Sequence, residues 1–181
     1  MPIYSNVKIT VEERVGVLTI DHPPANSLDS ATMNDLDAAF DELSADPAVK
    51  VIVITGAGRF AFVAGADIKE IAAIESAEQA HRLVRKGQEV FDKIQSSRKP
   101  VIAAVNALAL DGGLELAMAC HMRLLSDRAR IGQPEINLGI IPGFGGTQRL
   151  PRMIGSGLAI ELILTGELIG ADEAYRLGLA N

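Results

Sequence analysis

Met33, Leu36, Phe40 and Leu43 recur at steps of three and four residues, and this spacing predicts a helix over "ATMNDLDAAFDELSAD" with one buried stripe. Asp29 or Ser30 just before it, at the end of the turn-rich "HPPANSLDS", has the chemistry of an N-cap. Upstream, "VKITVEERVGVLTID" reads as two short strands that turn near Glu12-Glu13-Arg14. The β-branched run "VKVIVITG" predicts a strand buried on both faces. A longer helix is expected from about Ala77 to Ser97, with Leu83, Val84, Val90, Phe91 and Ile94 inward. "KPVIAAVNALAL" reads as a second buried strand, and "GGLELAMACHM" after it has helical spacing. Strands alternating with helices in this way predict an α/β fold, and no linker divides the chain.

The bulk properties narrow the function classes. A chain of 181 residues is long enough to bury a substantial core in one domain. A net charge of −6 disfavours general nucleic-acid or anionic-membrane binding, which needs a basic face. The lone cysteine, Cys120, has no internal partner, so a reducing compartment is expected. The opening "MPIYSNVKITVEERVGV" lacks the apolar run of a signal peptide and the Arg-rich look of a transit peptide, and no stretch is suited to span a bilayer. The expectation is a soluble, cytoplasmic protein.

Two acids stand out because their surroundings are apolar. Glu115 lies in "ALDGGLELAM" and Glu135 in "GQPEI", each beside glycine, where an ionised carboxylate is costly. The glycine-rich "GAGRFA" follows a strand but is not followed at once by a helix, so it reads as a turn rather than a dinucleotide loop. "PGFGGTQRLPR" lacks the Lys-Ser/Thr pair of a Walker loop, and no Gly-x-Ser-x-Gly elbow occurs. His22, His81 and His121 have no metal-ligand spacing, so no metal is expected. In "AGADIKE" and "DGGLELAM" small residues lead a strand end into a helix, where the first peptide N–H groups lack internal partners. One such N–H from each loop could converge on a single oxygen as an oxyanion hole; two independent tight turns explain the same spacing.

Taken together, "FVAGADIKE", "NALALDGGLELAMAC", "GQPEINLGIIPGFGGTQRLPRMIG" and "TGELIGADEAYRLGLAN" resemble the crotonase superfamily, and within it the enoyl-CoA hydratases. The resemblance runs in order over essentially the whole chain. It implies a spiral of ββα units forming a single core over residues 1–181, assembled as a homotrimer or a pair of trimers. It implies that the peptide N–H groups of Ala66 and Gly112 hold the thioester oxygen. Glu115 would activate the water that attacks C3, and Glu135 would deliver a proton to C2. The adenine end of coenzyme A would lie against main chain at Ala64, Ala66, Asp67 and Ile68, with Lys69 near the phosphates or simply a solvated helix charge. No cofactor is implied, because coenzyme A arrives as part of the acyl-CoA thioester substrate.

The implied activity is hydro-lyase: addition of water to a 2-enoyl-CoA in fatty-acid β-oxidation. An enoyl-CoA isomerase or another crotonase-type reaction is the alternative, as is a catalytically idle acyl-CoA-binding protein. Asp111 stands where relatives commonly have glycine, directly before Gly112, and His121 stands where aspartate is usual. The family's usual C-terminal helical segment is absent after "GLAN", so the 181-residue chain alone is expected to aggregate or to assemble with weakened activity.

Overall fold

A computed structural model of the chain describes residues 4–181. Successive β–β–α units make up the architecture. β1 (Val7–Glu12) and β2 (Val15–Ile20) lead into α1 (Ser30–Ala45); β3 (Val51–Gly56) and β4 (Ala61–Val63) lead into α2 (Ile68–Ala72) and α3 (Ala77–Gln95). β5 (Val101–Val105) and β6 (Leu108–Leu110) lead into α4 (Gly112–Ala119). β7 (Met122–Leu125) and β8 (Arg130–Gly132) lead into a 3-10 turn (Pro134–Leu138), α5 (Gly146–Ile154) and α6 (Ser156–Thr165). β9 (Ile169–Gly170) and α7 (Ala171–Arg176) follow.

In the first unit both strands share one sheet, whereas in the three units after it the two strands belong to different sheets. β1-β2-β3-β5-β7 form a five-stranded sheet, parallel except for the first pair, and β4-β6-β8-β9 form a four-stranded sheet, parallel except for the last. Local signals produce the predicted elements. The β1–β2 turn places Glu13 and Arg14 at positive φ, and the Asp29 side chain caps α1 by accepting from the Thr32 N–H at 2.7 Å. The stripe Met33, Leu36, Phe40 and Leu43 is buried as its spacing requires.

Three expectations need correction. Only one face of β3 is fully buried: Ile52 and Ile54 point into the core, while Val51, Val53 and Thr55 are half-buried. On that outer side, Thr55 pairs with Ala104, which pairs with the exposed Leu124, so no helix among the described residues covers the face. "KPVIAAVNALAL" is two strands rather than one. At Asn106 the chain leaves one sheet for the other, and the Asn106 amide fixes the step by donating to the carbonyls of Gly56 (3.0 Å) and Gly58 (3.1 Å). In α3, Val90, Phe91 and Ile94 enter the core, but Leu83 and Val84 are half-buried and line a cavity instead. No helix among the described residues is long and apolar enough to cross a membrane.

Candidate active site

The first turn of α4 is built by close backbone packing. A Cβ on Gly113 would lie 2.1 Å from the Val63 carbonyl oxygen, so only glycine lets the helix rest on the end of β4. The next loop is drawn in as well, since a Cβ on Gly65 would lie 2.6 Å from Asp111 Oδ2. The loops carrying Ala66 and Gly112 are therefore in contact. Both residues line one cavity of about 1170 Å³. Among the described residues, neither the Ala66 nor the Gly112 N–H donates to another group.

Glu115 sits on α4, every residue of which is buried, and is itself 1% exposed. Its Oε1 accepts from the peptide N–H groups of Phe144 (2.8 Å) and Gly146 (2.6 Å). Burial pushes its carboxyl up to about 7, against the pull of those two donors and of the Arg149 cation. Glu135, in the 3-10 turn, is 4% exposed, and no donor reaches either of its oxygens among the described residues. Burial pushes its carboxyl up to about 8, and the negative charges of Asp111 and Glu115 push the same way. Both acids line the cavity. The arrangement offers two buried carboxyls that ionise near neutrality and two free peptide donors on one wall, the parts needed for proton transfer beside a developing oxyanion.

The remaining sequence candidates divide. Asp67 lies on the cavity wall with Ala66, its side chain occupied in capping α2. Ala64, Ile68 and Lys69 are not on that wall. The Ala64 N–H donates to Ala25 O, Ile68 is 62% exposed, and Lys69 is exposed.

Sequence reasoning missed the groups that hold Glu115. The segment around Phe144–Gly146, set aside because it matches no phosphate loop, supplies the two N–H donors to this acid. Its one signal was the clustering of Gly143, Gly145 and Gly146. Arg149, 7% exposed, ties that segment down by donating to Phe144 O, Gln95 Oε1 and Asp92 Oδ1, each at 2.7 Å. Gln133 is fully buried and donates to Asp111 O at 3.0 Å, while its Oε1 has no partner among the described residues.

Comparison with known proteins agrees with this architecture. The family profile for enoyl-CoA hydratase/isomerase matches residues 10–181. A crotonyl-CoA hydratase from Syntrophomonas wolfei is 49% identical, aligned over 98% of this chain and 68% of that protein. A short-chain-enoyl-CoA hydratase from Clostridium acetobutylicum is 48% identical, over 98% and 68%. The crystal structure of enoyl-CoA hydratase from Bacillus anthracis superposes with a TM-score of 0.92 at 40% identity, over 97% of this chain and 69% of that one. The chain thus spans about two thirds of the length of these relatives. In sequence and in fold, it belongs to the enoyl-CoA hydratase/isomerase family.

Proposed function

We propose that this protein is an enoyl-CoA hydratase, a hydro-lyase that adds water to a 2-enoyl-CoA thioester to give the 3-hydroxyacyl-CoA. The observation that carries the reading is the pair of buried acids, Glu115 and Glu135, on a cavity that also presents the free N–H groups of Ala66 and Gly112.

In this reading Glu115 is the base, held by Phe144 and Gly146, and it takes a proton from the water whose oxygen bonds to C3. Glu135 is the acid and gives its proton to C2. Electron density moves from the C2–C3 double bond toward the thioester oxygen, where the Ala66 and Gly112 N–H groups stabilise the charge. The raised carboxyl values, about 7 and about 8, suit one ionised and one neutral acid near neutrality. Coenzyme A enters with the substrate, and no separate cofactor takes part. Its adenylate lies near Ala66 and Asp67 at the cavity wall. Assembly as a homotrimer or a pair of trimers is supported by large exposed apolar side chains away from the cavity, among them Ile160, Leu164 and Tyr175.

The test is loss of the conjugated thioester absorbance of crotonyl-CoA, with product analysis to separate hydration from isomerisation. Glu115→Gln and Glu135→Gln each lower kcat by about 10² or more, the usual share of general acid–base catalysis. Near-normal turnover in either variant rules out the two-glutamate mechanism.

A further inference from the structure

Asp111 is a departure that the structure makes more costly, not less. Its backbone has φ 50° and ψ −127°, a conformation natural to glycine and strained for any residue with a Cβ. The strain falls on the residue just before Gly112. Main-chain bonds hold it there: the Asp111 N–H donates to Gly132 O (3.2 Å), and Asp111 O accepts from the Glu115 N–H (3.1 Å) and from Gln133 Nε2 (3.0 Å). These contacts set Asp111 against the stretch that ends β8 and opens the 3-10 turn bearing Glu135. Both carboxyls line the cavity, and the Asp111 side chain meets that of Glu135.

With both carboxyls ionised, this contact contains no donor, and the two Glu135 oxygens remain buried and unpartnered. One proton between them supplies the missing donor and removes a like-charge repulsion. We propose that Asp111 is a positioning residue that acts through Glu135: the two carboxyls hold one proton between them, so that Glu135 stays neutral and ready as the acid of the reaction. The inference rests on the hydratase reading for its catalytic meaning, though the proton pair itself does not.

Other charges line the same cavity: Glu70 accepts from the Ser30 N–H at 3.0 Å, Lys86 pairs with Asp37, and Arg152 donates to Gln148. α4 presents Glu115, whose negative charge also favours a proton on Glu135. α5 presents Arg149, already engaged by Asp92 and Gln95. α6 packs on the 3-10 turn and carries Glu161, which is exposed. In the adjoining loop the Asp67 carboxylate accepts from the Lys69 N–H at 2.7 Å. No cation among the described residues makes an ion pair with Asp111 or Glu135. The arrangement has a cost, since a carboxylate beside the Gly112 N–H opposes charge arriving on the thioester oxygen.

Two variants test the pair. Asp111→Asn keeps the shape and tolerates positive φ, while Asp111→Gly relieves the strain and serves if the asparagine protein folds poorly. The first readout is carbon-13 NMR of Asp and Glu carboxyls in the substrate-free protein, titrated with pH. The Glu135 signal, assigned with Glu135→Gln, shifts its titration downward by about one pH unit or more in both variants. The second readout is the alkaline limb of kcat/KM for crotonyl-CoA, which moves to lower pH by the same amount. The variants then lose about tenfold relative to the parent at the alkaline end, and their acid limb moves less. A Glu135 titration and an alkaline limb that both stay in place overturn the proposal. A shifted titration in a protein without hydratase activity upholds the pair and refutes the hydratase reading; an unshifted titration in an active enzyme does the reverse.

Discussion

Replacing Glu115 by glutamine tests how much stability this protein gives up to keep a base in its core. The side chain is 1% exposed, and its carboxyl stands at about 7 instead of its ordinary 4.5. A displacement of that size corresponds to roughly 3 kcal/mol, at about 1.4 kcal/mol per unit. Because the folded-state value is raised, the folded protein holds this proton more tightly than the unfolded chain does. The associated stability is fully present below about pH 4.5 and is lost as pH rises to about 7. Glutamine has the same shape and its amide oxygen can accept from Phe144 and Gly146, but it never ionises. Any packing cost of the amide is independent of pH, whereas the gain is not. The assay is thermal unfolding of parent and variant at intervals from pH 4.5 to 9, read as the difference in Tm. That difference grows in favour of the variant by roughly 3 kcal/mol across the lower half of the range, about 6–12 °C for a chain of this size, and is flat above it. Parallel Tm curves across the whole range would refute the reasoning, because they would mean that Glu115 titrates alike in the folded and unfolded chain.

Two further perturbations probe the frame around the acids. Gly113→Ala puts a Cβ 2.1 Å from the Val63 carbonyl oxygen, a backbone atom that cannot swing aside, and it destabilises the fold by about 1–3 kcal/mol in urea titrations; an unchanged midpoint contradicts the packing described. Arg149→Met removes the cation that favours ionised Glu115, so the acid limb of kcat/KM moves to higher pH; a limb that stays put or moves down shows that the peptide donors alone set this acid.

Much of the fold was legible because it is written in local patterns. The α1 stripe and its Asp29 cap depend on residues only a few positions apart, and so do the turn at Glu13-Arg14 and the helical spacing of α4. The two acids were legible for a related reason: carboxylates among small apolar residues are chemically conspicuous wherever the chain takes them. The sheet change at Asn106 was not, since apolar residues continue through 101–110 and the bonds that fix it reach back 50 and 48 positions. The outer face of β3 was misjudged because a β-branched run does not say whether a helix will arrive to cover it. The donors at Phe144 and Gly146 are peptide groups, which leave no mark on residue type. The burial of Arg149 depends on Gln95 and Asp92, 54 and 57 residues away.

The division of the later units between two sheets has a consequence for how such a protein can change. The five-stranded sheet has strands of four to six residues, whereas the sheet that leads to Ala66, Gly112 and Glu135 has strands of only two or three. The long strands act as a chassis and the short ones as tool mounts. A residue at the tip of a mount, of which Asp111 is an example, can alter the surroundings of a reacting group with little disturbance to the chassis. Libraries intended to redirect the chemistry therefore belong at the ends of β4, β6 and β8, three short stretches that lead to Ala66, Gly112 and Glu135.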